Sequence, residues 1–88
     1  MVEEKLSGLA GWSFEDDSLK KTFSFSNYRD ATSFLVRLSF EAEDLNHHPE
    51  IFNVYGTVKI TLRKHDGGNK VTDLDFKLAK AIEDLSAG

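Results

Sequence analysis

The spacing of apolar positions changes repeatedly along this chain, and each change marks an element. Met1 to Leu9 holds a weak helical signal, with Leu6 and Leu9 on one side and Gly8 and Gly11 placed to end it. Trp12 and Phe14 then alternate with polar neighbours. Glu15-Asp16-Asp17-Ser18 reads as a turn, after which Leu19, Lys21, Phe23 and Phe25 resume a period of two. Alternation on both sides of a polar turn predicts a β-hairpin. From Tyr28 the period lengthens. Ala31, Phe34, Leu35, Leu38, Ala42 and Leu45 recur at helical spacing and predict an amphipathic helix. Ser26-Asn27 supplies its start, with Asp30 placed to favour the first turn. Pro49 is expected to close it, because the residue before a proline is pushed out of the α region.

Val36 and Phe40 lie off the main stripe, four residues apart, and form a second small apolar face. They read either as incidental exposed hydrophobes or as a subunit contact. Ile51 to Val54 is a short extended piece, Tyr55-Gly56 a bend, and Thr57 to Lys64 a strand with Val58, Ile60 and Leu62 on one side. His65 to Lys70 is a turn by composition. Thr72 with Asp75 three residues on resembles a capping arrangement, and it opens a last helix carrying Leu74, Leu78, Ala79, Ile82 and Leu85 on one face. The order predicts an α+β fold of one domain over residues 1–88. Its core is a four-stranded antiparallel sheet, with two longer helices and a short N-terminal helix packed on one face.

Composition narrows the possible functions. A chain of 88 residues buries about two thirds of its surface, enough for one modest core. With no Cys, a disulfide scaffold, a thiolate zinc site and a Cys nucleophile are excluded. No apolar run approaches the roughly 20 residues of a membrane span, and the N-terminus lacks the basic and apolar regions of a signal peptide, so a cytoplasmic protein is expected. Eleven basic against 15 acidic residues leave a net charge of −4, which argues against direct nucleic-acid binding. The nearest basic group, Lys59, Arg63, Lys64 and Lys70, shares its segment with Asp66 and Asp73.

Candidate chemistry gathers on the histidines. All three lie between positions 47 and 65. His47 and His48 sit where a helix gives way to an extended segment, and Glu43 is one helical turn before His47. His65 lies at the far end of the Thr57–Lys64 strand, which an antiparallel sheet can fold back towards the start of the preceding strand. Trp12 and Tyr55 offer flat apolar walls. Three readings fit this spacing. The first is a helix stop with solvated imidazoles. The second is a zinc site of three His and Glu43, although the dense local spacing of such sites is missing. The third is general acid–base catalysis, for which imidazole is suited near neutral pH.

Glu43-Asp44-Leu45-Asn46-His47-His48-Pro49, followed by Tyr55, His65 and Asp75, resembles the signature of the pterin-4a-carbinolamine dehydratase family. That signature is a charged residue, three residues, His-His-Pro, an aromatic a few residues on, then His and then Asp. The likeness extends to Gly11-Trp12, Asn53-Val54-Tyr55 and the Asp75-Phe-Lys-Leu-Ala-Lys run, and so covers nearly the whole chain. One departure is a loop after His65 that is one residue longer than usual, with Lys64 where Thr is common. The resemblance implies dehydration of 4a-hydroxytetrahydropterin to quinonoid dihydropterin and water, in support of tetrahydrobiopterin recycling, with no cofactor and no metal. It implies His47 and His65 as acids addressing the hydroxyl, and His48 with Pro49 holding the pterin. Glu43 would orient or charge an imidazole, Trp12 and Tyr55 would wall the substrate site, and Asp75 would anchor the last helix or support the site from behind. Family members form dimers or tetramers, so a homodimer or homotetramer through Val36 and Phe40 is expected. Animal members also serve as dimerisation cofactors of a homeodomain factor. The alternative function is therefore a non-catalytic interaction or pterin-binding module, for molybdopterin or another pterin.

Overall fold

The computed structural model describes residues 9, 11–63 and 71–87. Its elements are β1 (Ser13–Glu15), β2 (Ser18–Ser24), α1 (Tyr28–Leu45), β3 (Glu50–Val54), β4 (Thr57–Leu62) and α2 (Asp73–Ala87). The strands form one antiparallel sheet in the order β1-β2-β4-β3. This is the α+β arrangement that the hydrophobic pattern predicts. The expected helix over Met1–Leu9 and the turn over His65–Lys70 lie outside the described residues, Leu9 apart.

Local chemistry accounts for the ends of the elements. Asp16 and Asp17 both take positive φ, 52° and 55°, the pair of values that a two-residue hairpin turn needs and that Asp tolerates better than most side chains. Glu15 and Ser18 thus belong to the strands and pair with each other. At the start of α1, the Asn27 side-chain oxygen accepts the Asp30 N–H at 2.8 Å, as an N-cap should. The end of α1 corrects the expectation. Asn46 adopts a left-handed conformation with φ 49°, its N–H donates to Glu43 O and the His47 N–H donates to Ala42 O, each at 3.0 Å. Together these bonds make a Schellman motif. Asn46 therefore ends the helix, and Pro49 only prevents a restart.

The β3–β4 turn depends on a close approach. Tyr55 takes a φ of 51°, and Asn53 Nδ2 braces the turn by donating to Tyr55 O at 3.1 Å and Thr57 O at 3.0 Å. Gly56 O accepts the Phe25 N–H at 2.8 Å. A Cβ on Gly56 would lie 2.4 Å from Phe25 O, so only glycine fits there. β4 stops at Leu62, short of the expected Lys64, which lies outside the described residues.

The β2–β4 register pairs Leu19 with Leu62, Lys21 with Ile60 and Phe23 with Val58, so alternate residues share one face. α1 covers that face with Ala31, Phe34, Leu38 and Ala42, and α2 covers it with Leu78, Ala79 and Ile82, all buried. Phe34 sits between Phe23 and Phe25, with ring centroids 5.1 and 5.0 Å away. On the opposite face Thr22, Ser24, Thr57 and Lys59 are exposed. No described helix is long and apolar enough to cross a membrane.

Candidate functional site

The Schellman turn after α1 delivers two adjacent imidazoles into different surroundings. His47 is 6 % exposed, and its Nε2 bonds to Oδ1 of the fully buried Asp75 on α2. The other carboxylate oxygen of Asp75, Oδ2, accepts the Thr72 N–H at 2.7 Å and the Thr72 hydroxyl at 3.4 Å. Asp75 therefore closes the first turn of α2 and also holds His47. A buried carboxylate is stable only with such partners, since leaving it unpaired is strongly unfavourable.

His48 points outward. Its Nε2 lies 3.0 Å from Glu43 Oε1, and the two side chains are 59 % and 74 % exposed. Helical spacing placed Glu43 on the His47 side, but the left-handed Asn46 ends the helix first and turns His47 inward. The carboxylate pairs with His48 instead. Pro49 follows half-buried and leads into β3, where Arg63 Nε donates to Glu50 Oε2 at 3.0 Å and ties the start of β3 to the residue after β4. An open depression of about 380 Å³, lined by Glu50, Ile51, Phe52, Lys59 and Thr61, lies beside this segment. Glu50 and Phe52 lie opposite Thr61 and Lys59 in the β3–β4 register, so the depression sits on the sheet face that the helices leave uncovered.

The two expected aromatic walls are not beside the histidine pair. Tyr55 is 80 % exposed at the turn end of β3, about 17 Å along the strand from its start. Trp12 precedes β1, on the sheet edge opposite β3 and about 14 Å across three strand spacings. It is buried in the core, edge-on to Phe23 with centroids 6.2 Å apart. A buried indole needs an acceptor for its N–H, and Trp12 Nε1 donates to Glu83 Oε1 at 2.7 Å. Lys21 Nζ donates to the same oxygen. His65 lies outside the described residues. Among the described residues, no group of three or more His, Cys, Asp or Glu is arranged to hold a metal ion.

The arrangement is thus one buried and one exposed carboxylate–imidazole pair, side by side at the end of a helix. It can hold and move protons. The family model described as pterin 4 alpha carbinolamine dehydratase matches residues 1–85. A protein of Rhizobium etli is 52% identical over 88 residues, spanning 98% of this chain and 86% of that one. A protein of Opitutus terrae is 49% identical over 85 residues, spanning 97% and 88%. Both carry the name "Putative pterin-4-alpha-carbinolamine dehydratase". Among solved structures, a transcriptional coactivator/pterin dehydratase of Brucella melitensis superposes with a TM-score of 0.90 at 36% identity, covering 96% of this chain and 90% of that one. With the signature residues, the fold and a match along almost its whole length in agreement, this chain belongs to the pterin-4a-carbinolamine dehydratase family.

Proposed function

We propose that the protein dehydrates 4a-hydroxytetrahydropterin to quinonoid dihydropterin and water. The observation that carries this reading is the pair of adjacent imidazoles, each held by its own carboxylate. In the substrate, the nitrogen beside C4a already has the lone pair that expels the hydroxyl. The C4a–O bond breaks, a C=N bond forms, the leaving oxygen takes one proton and a ring nitrogen gives one up. The step balances without electrons from elsewhere, so the protein's task is to place an acid and a base. His47 and His65 address the hydroxyl, His48 and Pro49 hold the pterin, and Glu43 orients His48. Trp12 and Tyr55 then contribute through the fold or through contacts away from the histidine pair. A cytoplasmic location goes with this reading. The test is a carbinolamine produced by an aromatic amino-acid hydroxylase and followed by its ultraviolet absorbance. Added protein should speed its decay, and equal rates with and without protein would refute the proposal.

Self-association through the outer face of α1 belongs to the same proposal. Val36 and Phe40, one turn apart, are 52% and 65% exposed, and apolar side chains this large gain from a partner surface. A homodimer or homotetramer is expected by light scattering at tens of micromolar, and Phe40→Glu should shift it towards monomer. A wild type that is already monomeric there would remove this part.

A further inference from the structure

One carboxylate in this molecule serves two structures at once. Asp75 is fully buried. Its Oδ2 is engaged by the N–H and hydroxyl of Thr72, and its Oδ1 by Nε2 of His47. An ionised carboxylate only accepts hydrogen bonds, so the nitrogen opposite it must carry a proton. A neutral imidazole has a single N–H, which leaves Nδ1 bare and accepting. We propose that Asp75 is a positioning residue for His47, fixing its tautomer and ring plane so that Nδ1 is the atom that exchanges protons with the pterin. Nε2 keeps its proton throughout the cycle. Nδ1 gives its proton to the departing hydroxyl, leaving the neutral Nε2–H ring, and is reprotonated by the proton that the pterin ring nitrogen gives up. The Thr72 N–H, 2.7 Å from Oδ2, keeps the carboxylate from rotating away.

The neighbouring pair cannot do this. His48 and Glu43 are both largely exposed, so water competes for every lone pair and no single tautomer is enforced. The His47–Asp75 bond is buried, and the low local dielectric strengthens the bond that orients the ring. The inference rests on the dehydratase reading for its catalytic part. The tautomer can be measured independently of it.

Asp75→Asn is the informative variant, because the cap decides how the amide must lie. The Thr72 N–H still requires an acceptor, so the amide oxygen faces Thr72 and the NH₂ group faces His47. A donor opposite Nε2 fits only a bare Nε2, which moves the His47 proton to Nδ1. ¹⁵N spectra of the full chain, at a pH where His47 is neutral, should show the Nε2–H form in the wild type and the Nδ1–H form in Asp75→Asn. The variant's kcat should fall about 10²- to 10⁴-fold, the range of a positioned acid or base, with KM within about twofold. Thr72→Ala, which removes only the hydroxyl contact, should keep both the wild-type tautomer and a kcat within about twofold.

A wild-type Nδ1–H tautomer would overturn the proposal, and that measurement stands even if Asp75→Asn does not fold. An unchanged kcat in Asp75→Asn, or an equal loss in Thr72→Ala, would also overturn it by reducing Asp75 to a helix fastener. Lack of turnover by the wild type refutes the dehydratase reading instead and leaves the tautomer result to be judged on its own.

Discussion

Replacing His47 by Gln is expected to lower kcat for the carbinolamine by about 10²- to 10⁴-fold, the usual contribution of a positioned proton donor. Gln is the better probe than Ala. Truncation to Ala would leave the Asp75 carboxylate buried without its partner, and breaking a buried pair from one side costs about 3–5 kcal/mol. A Gln amide N–H can still donate to Oδ1 but cannot deliver a proton to the substrate. Activity would therefore fall while the fold persists. The check is steady-state turnover beside a urea melt on the same sample. A Gln variant that melts like the wild type and retains its kcat would remove His47 from the chemistry.

The second large effect concerns stability. Phe34 is fully buried, with its ring between those of Phe23 on β2 and Phe25 just after it. Phe34→Ala should cost about 3–5 kcal/mol, the sum of lost transfer energy and the cavity left behind. Domains of this size hold about 5–15 kcal/mol in total, so the variant loses a large share of its stability. In urea the midpoint should drop steeply with little change in slope. A midpoint close to that of the wild type would mean that the three-ring cluster is not the centre of this core.

Most of the architecture was readable from the sequence because it rests on local periods. The α1 stripe, the Asn27 cap, the two hairpins and the Thr72–Asp75 cap each depend on residues a few positions apart. The details that escaped depend on geometry or on distant partners. A proline is an obvious helix stop, but the left-handed Asn46 acts first, and that one residue also reassigns Glu43 from His47 to His48. The bond between His47 and Asp75 spans 28 positions and exists only because α1 packs on α2. One clue was present. Asp75 falls three, four and seven residues before Leu78, Ala79 and Ile82, on the buried stripe of α2, and a charged residue there requires a partner. Trp12 donates to Glu83, 71 positions away, a partner that its alternation with Phe14 does not reveal. Tyr55 was set apart by sheet order, since β3 lies at an edge and runs away from the histidines.

The tie between Trp12 and Glu83 bears on how the chain is made. Ribosomes add about 5–20 residues per second, so the 71 positions between the two partners correspond to about 4–14 s of synthesis. Lys21 waits 62 positions for the same carboxylate, and β2 waits for β4 across the whole of α1 and β3. Contacts of such long sequence separation form late. Until α2 emerges, the apolar face of the nascent sheet has only α1 to cover it, and that interval is when the growing chain is most exposed to aggregation and to chaperone binding.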